Sequence, residues 1–283
     1  MNDQTLHDQY GLRHNPFLPG LPGEALWEPP EFNHFAAGVD TLVLVGGFAL
    51  VTGEPGIGKS KVLHLLARRL EDRGDVMVGV MERPQSRLSD FYREMGQIFG
   101  VDLSPSNRYG GFKALRSRWG HHIRSSLVRP VLLIDEVQQT PVECLDELRI
   151  LSSTAFDSHC LLSVVLAGDM RLSERLRSPD LMSLNSRVRV RLDLRPWNVQ
   201  TLRAFTRHLL EQAGAPHLMT DGVVHALAEH AEGNLRRLVH AGELLLAVAA
   251  SRNLPQVDEN LFVEVFSRGP VGAVSPPARR VAG

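Results

Sequence analysis

The segment that most constrains this chain is Gly53-Glu54-Pro55-Gly56-Ile57-Gly58-Lys59-Ser60, which fits G-x-x-x-x-G-K-[ST]. Its flanks match the motif. Phe48-Ala49-Leu50-Val51 is a short apolar run that reads as a buried strand, and Val62, Leu63, Leu65, Leu66 and Leu70 recur at helical spacing after it. A strand, a glycine turn and a helix start, in that order, make a phosphate cradle. The glycines let backbone N–H groups close around an anion. The helix start adds further donors and the positive end of its dipole. Lys59 then reaches the outer phosphates and the Ser60 hydroxyl ligates magnesium. Residues Gly53 through Lys61 are the expected nucleotide-binding stretch.

A second motif lies downstream. Val131-Leu132-Leu133-Ile134 reads as a core strand that delivers Asp135 and Glu136 to its C-terminal end, the edge where open α/β sheets bind ligands. Asp135 would hold magnesium, directly or through water, and Glu136 would polarise the water that attacks the γ-phosphate. A further apolar strand, 161–167, ends in Gly168-Asp169. Asp169 is a candidate sensor of the γ-phosphate, or else a cap on the helix that follows. Arg187 opens an alternating segment with Arg189 and Arg191 behind it. As a finger inserted into a neighbour's site, Arg187 would stabilise charge on the γ-phosphate. The alternative is a solvated or DNA-facing row of arginines. Arg236, in Gly233-Asn234-Leu235-Arg236-Arg237, is a candidate second contact to the γ-phosphate, or simply part of a basic first helical turn.

Strand candidates alternate with helical stretches up to Pro196: strands at Val76–Met81, 131–134, 161–167 and 188–194, and helices at 88–99 and 112–127. That alternation implies a mostly parallel sheet with helices on both faces. From Trp197 the pattern is helical only, at 202–213, Asp221–His230, Leu235–Ser251 and 257–266. The expected organisation is an N-terminal arm over 1–42, an α/β domain over 43–196, an all-helical lid over 197–266 and a disordered tail over 267–283. Residues 1–35 combine prolines with aromatics and read as an irregular arm packed on a domain.

Charge is nearly balanced, at −1 overall, so any contact with nucleic acid must be local. One segment qualifies. From Leu103 to Ile134 there is no Asp or Glu, while Arg108, Lys113, Arg116, Arg118, Arg124 and Arg129 alternate with aromatics. Arg108, Lys113 and Arg116 are the candidate DNA contacts. The competing expectation is that some of these side chains pair with acidic helices elsewhere. Cys144 and Cys160 lack metal-ligand spacing and fit a reducing cytoplasm. The N-terminus lacks a signal-peptide apolar region. No apolar run approaches the ~18 residues of a membrane span.

Together the motifs resemble the AAA+ ATPases: the loop 53–60, Asp135-Glu136, Ser186-Arg187 and Gly233-x-x-Arg236 fall in that superfamily's order. More narrowly, Tyr10-Gly11-Leu12-x-x-Asn15-Pro16-Phe17 and Leu166-Ala167-Gly168 followed by Leu172-x-x-Arg175-Leu176 resemble the ExeA-type branch, which includes the transposition regulators TnsC and TniB. One position departs, since that branch usually has Gln, Thr or Asn where Asp169 stands. The resemblance implies a regulatory, slow ATP hydrolase using ATP and Mg2+. It implies a homo-oligomer, ring or helical filament, on double-stranded DNA, with a transposase and possible targeting adaptor as partners in recombination. It also places Pro16 and Phe17 near the adenine. Secretion-type members carry a membrane segment and a wall-binding domain after the ATPase, so a chain without them is expected to be cytoplasmic and of the transposition type. The alternative is a secretion-system ATPase acting on proteins.

Overall fold

The computed structural model describes residues 3–18, 26–82, 87–102, 107–154 and 159–267. Helix α1 (Asp3–Tyr10) comes first and α2 (Phe32–Val45) leads into strand β1 (Gly47–Gly53). Then follow α3 (Lys59–Glu71), β2 (Val76–Met81), α4 (Leu88–Phe99), α5 (Arg108–Ser125) and β3 (Arg129–Ile134). A 3-10 turn at Val137–Gln139 precedes α6 (Val142–Ser152), the two-residue strands β4 (Ser153–Thr154) and β5 (His159–Cys160), and β6 (Ser163–Gly168). Helices α7 (Met170–Leu176) and α8 (Met182–Asn185) lead to β7 (Val188–Leu194), and α9 (Val199–Gln212), α10 (Asp221–His230), α11 (Leu235–Ser251) and α12 (Glu259–Ser267) complete the order.

The chain divides into two compact units. In the first, Leu26–Pro196, five strands pair in the order β2-β3-β6-β1-β7, all parallel. Parallel pairing brings the C-terminal ends of β1, β3 and β6 to one edge, with Thr52 beside Gly168 and Ile134 beside Leu166. The near-continuous apolar strands have the composition that a sheet covered on both faces demands. Phe48, Leu50, Leu132, Ile134, Val164 and Leu166 join one core with α4, α5, α6 and α7. The alternate residues Ala49, Val51, Val131, Leu133, Val165 and Ala167 are equally buried and turn to the opposite face, where α2 and α3 pack. Trp119 of α5 is fully buried and meets Phe99 of α4 edge-on at 5.1 Å. Such a pair contributes roughly 0.5–1.5 kcal/mol beyond the area it buries. It holds one face of α5 against the core.

The second unit takes the described residues of Met1–Ala25 and Trp197–Gly283. Polar side chains start its helices: Asn198 accepts from Thr201 N at 2.8 Å, Thr220 from Val223 N at 3.2 Å, and Asn234 from Arg236 N at 3.0 Å. The arm is fastened to these helices. Arg13 N donates to Ala213 O at 2.9 Å and the Tyr10 hydroxyl to Leu254 O at 2.9 Å. Phe17 is completely buried on Gly242 of α11, where a Cβ would come within 2.5 Å of the Phe17 ring.

Two features differ from the sequence expectation. The arm contains a helix, α1, and the structure groups its described residues up to Leu18 with the helices rather than with the segment running to 42. The physical reason is local packing. Phe17 is anchored on Gly242, while α2 presents Phe35, Val39, Leu42 and Val43 to buried surroundings and packs on β1 and β7. The expected tail lies outside the described residues except for Ser267, the last residue of α12. Among the described residues, no helix is long and apolar enough to cross a membrane.

Candidate nucleotide site

Strand β1 ends at Gly53, and the loop that follows turns through Gly56 and Gly58, whose φ angles are 82° and 113°. Only glycine adopts such angles without strain. The loop therefore curls back on the N-terminus of α3, whose first residues are Lys59 and Ser60. Lys59 is buried, and its ammonium donates to the carbonyls of Gly53 and Glu54 at 3.0 Å each. The amino group is thus held over the mouth of its own loop by the loop's backbone.

Seventy-five residues away in sequence, Asp135 meets this helix start. Ser60 Oγ donates to Asp135 Oδ2 at 2.6 Å. The other carboxylate oxygen accepts from Glu136 N at 2.8 Å, which fixes the plane of the group. Glu136 itself has φ 51° and ψ 35°, in the left-handed region that non-glycine residues rarely enter. That conformation turns the chain off β3 at the sheet edge. A hydroxyl and a carboxylate brought together beside a phosphate loop are hard oxygen donors of the kind magnesium takes. The residues present therefore fit the ion that the motif implies.

The residues expected elsewhere divide into several groups. Asp169 caps α7, accepting from Arg171 N at 2.9 Å, and its carboxylate takes Arg171 Nε at 2.8 Å. The Arg171 guanidinium holds the Asp169 carboxyl below the usual carboxylate range. Of the two alternatives at this position, the cap is the one whose hydrogen bonds are formed. Arg187 lies at the start of β7, beside the start of β1: its carbonyl accepts from Phe48 N at 3.1 Å. Six residues of strand separate Gly47, where β1 starts, from Gly53, roughly 20 Å at ~3.3 Å per residue. Arg187 therefore stands at the opposite edge of the sheet from its own phosphate loop. Arg189 and Arg191 of β7 are exposed.

In the helical unit, Arg236 is exposed in the first turn of α11. The Asn234 cap accounts for that helix start without help from its arginines. Pro16 and Phe17 are both buried, and Phe17 has no exposed surface to stack on a base.

Helix α5 separates its three candidate cations. Arg108 reaches down to Glu147, whose side chain is only 4% exposed, and Tyr92 hydroxyl donates to the same carboxylate. Arg108 neutralises a buried acid while its own side chain stays 61% exposed. This pairing is the competing expectation for the segment, and the reason is tertiary: the partner is 39 residues away on α6. Burial, reinforced by Glu147, pushes the Tyr92 hydroxyl well above its usual pKa. Lys113 lies over the Tyr109 ring at 4.4 Å and Arg116 over Phe112 at 4.8 Å, both on the same helix.

Two side chains at the site carry no expected role in the sequence reading. Gln138 Nε2 donates to Glu136 Oε2 at 2.6 Å, and Gln138 Oε1 accepts from Asp169 N at 3.2 Å. Arg175 of α7 donates to the carbonyls of Gln138 at 2.5 Å and Thr140 at 2.7 Å, clamping the turn after Glu136. The available signal was a glutamine two residues beyond the acid pair, close enough to return to it.

Comparison with known proteins agrees with this geometry. The AAA domain family matches residues 45–176. General secretion pathway protein A of Aeromonas hydrophila is 32% identical over 172 residues, which are 60% of this chain and 30% of that protein. The chain thus spans under a third of the length of that curated relative. Among solved structures, the ADP form of Aeropyrum pernix ORC2 matches with a TM-score of 0.69 at 14% identity, over 89% of this chain and 72% of that one. Drosophila ORC bound to DNA matches with a TM-score of 0.69 at 18% identity, over 94% and 67%. The Thermotoga maritima RuvB Holliday junction branch migration motor matches with a TM-score of 0.58 at 16% identity, over 89% and 73%. The fold is that of the AAA+ P-loop ATPases.

Proposed function

We propose that this AAA+ ATPase binds ATP with magnesium at the carboxyl edge of its sheet, hydrolyses it slowly when a neighbouring copy completes the site, and in the ATP-bound assembly holds double-stranded DNA to mark a target for a transposase. The observation that carries the nucleotide part is the Ser60–Asp135 contact at 2.6 Å, which joins the phosphate loop to the acid-tipped strand. Backbone N–H groups of residues 53–60 and Lys59 bind the phosphates. Ser60 and Asp135 hold the magnesium, which when bound neutralises phosphate charge. Glu136 accepts the proton of the attacking water. Arg187 supplies the positive charge that the transition state needs. Because it stands at the far edge of its own sheet, it does so for the adjoining copy, which makes hydrolysis dependent on assembly as a ring or filament.

The DNA part rests on α5. Lys113, Arg118 and Arg124 are exposed there, Arg116 is half-buried, and residues 107–134 contain no acid. The fold is shared with Drosophila ORC bound to DNA, which supports the reading. Fluorescence anisotropy of a labelled duplex, with an ATP analogue and then with ADP, tests it. Binding should require the triphosphate form and weaken steeply with salt, by about 0.9 in log–log slope per phosphate contacted. Lys113→Glu with Arg116→Glu should reduce DNA affinity and spare nucleotide affinity. No association in any nucleotide state removes DNA from the function.

A second reading is favoured by the 32% identity to General secretion pathway protein A: a secretion-system ATPase that acts on a protein partner. It keeps the nucleotide site and the trans arginine, and it predicts ATP turnover that is indifferent to duplex DNA.

A further inference from the structure

The turn after β3 carries more hydrogen bonding than a chain reversal needs. Gln138 sits in it, half-buried, between the tips of two strands. Its amide has no freedom of assignment. Asp169 N can only donate, so the atom facing it at 3.2 Å must be the carbonyl oxygen Oε1. That leaves Nε2 toward Glu136, where it donates to Oε2 at 2.6 Å. A charge-assisted bond of this length is directional and fixes one oxygen of the carboxylate. The space for the amide is made by Gly168, where a Cβ would come within 2.7 Å of Gln138 Oε1. Arg175 closes the arrangement from below through the carbonyls of Gln138 and Thr140. The Asp169 side chain takes no part, since it caps α7 and pairs with Arg171.

We propose that Gln138 is a positioning residue that joins the tip of β6 to the carboxylate of Glu136 and orients that carboxylate toward the attacking water. The inference rests on the assignment of Glu136 as the water-activating group. One amide occupies Oε2, so Oε1 is the oxygen left to take the proton, and its direction is set by the backbone of Asp169. The two strand tips that border the γ-phosphate then share one rigid link.

The test is a double-mutant cycle on the full chain with ATP, in which turnover, nucleotide affinity and melting temperature are all measured. Gln138→Leu keeps the side-chain bulk and removes both hydrogen bonds. It should lower kcat by about 10- to 100-fold, within the range of a misdirected general base, with KM and ADP affinity changed by less than about threefold. Gln138→Glu keeps an acceptor for Asp169 N but places a carboxylate against Glu136, and it should be at least as slow. In a Glu136→Gln background the same Gln138→Leu change should cost less than about twofold, because the two residues act as one unit. Equal losses in both backgrounds, a fall in nucleotide affinity matching the fall in kcat, or a faster Gln138→Leu enzyme would each overturn the proposal. Full turnover by Glu136→Gln would instead refute the underlying assignment of Glu136.

Discussion

The two edges of the parallel sheet are built differently. At the carboxyl edge, groups from two separate stretches converge: Lys59 and Ser60 from the start of α3, and Asp135, Glu136 and Gln138 from the end of β3 and the turn beyond. The Lys59 ammonium, the Ser60 hydroxyl, the Asp135 carboxylate and the Gln138 amide are each engaged there by another group of the same site. At the amino edge, Arg187 stands beside the start of β1 and donates to Ser183 O at 2.5 Å. The parallel topology puts these ends roughly 20 Å apart at ~3.3 Å per residue. In the proposed function, one chain holds the binding half of a hydrolytic site at one edge and the charge that completes such a site at the other, and two copies stacked edge to edge would unite them.

That contrast is open to attack from either edge. The largest effect is expected from Arg187→Ala, which should lower ATP turnover of the assembled protein by about 1,000-fold, the lower end for a missing arginine finger, while ATP affinity of the protomer stays as it was. A parallel loss of affinity, measured by equilibrium binding of a fluorescent nucleotide, would move Arg187 out of the amino-edge role. Lys59→Ala attacks the other edge and should do the reverse, weakening nucleotide binding by about 100-fold or more, equivalent to ~2.7 kcal/mol. Unchanged affinity would deny the loop its phosphates.

An arginine belonging to neither edge sharpens the comparison. Arg108→Ala leaves Glu147 buried with Tyr92, and loss of an exposed partner of a buried acid is expected to cost about 1–2 kcal/mol, below the range for fully buried pairs. Thermal unfolding should shift down by a few degrees, with nucleotide affinity unaffected. An unchanged melting point would mean that Glu147 finds other partners. The smallest effect concerns Asp169. Its carboxyl is held below the ordinary range by Arg171, so its contribution to stability is fully present above the unfolded value near 3.9 and is lost as pH falls through the lower folded value. The advantage of the native protein over Asp169→Asn should therefore fade below about pH 4, followed by denaturant melts at stepped pH. A constant difference across that window would mean that the ion pair is not formed in solution.

The carboxyl edge was the more legible half in the sequence. Its residues lie in short stretches whose spacing alone carries the chemistry, and strongly apolar strands deliver them. Ser60 and Asp135 were expected at one magnesium site and are found in contact. Helices α10 and α11 run over the residues their periodicity indicated, because a threonine and an asparagine cap mark where each begins. The less legible features depend on partners distant in sequence. The pairing of Arg108 with Glu147 of α6 is visible only in the folded chain. Helix α1 has a single leucine in eight residues, too little for a periodic signal, and β4 and β5 are two residues each. Gln138 was missed because an amide in a turn is unremarkable until the backbone N–H of Asp169 is seen to fix its orientation.

The most direct test of a site divided between sheet edges is to mix two inactive proteins. Lys59→Ala cannot hold ATP but retains its arginine, and Arg187→Ala holds ATP but lacks the arginine. In a one-to-one mixture at concentrations that assemble, each interface of the right polarity pairs an intact loop with an intact Arg187. ATP turnover should recover to a substantial fraction of the native rate, well above the sum of the two variants measured alone. A mixture no faster than that sum, with co-assembly verified by sedimentation, would contradict the account.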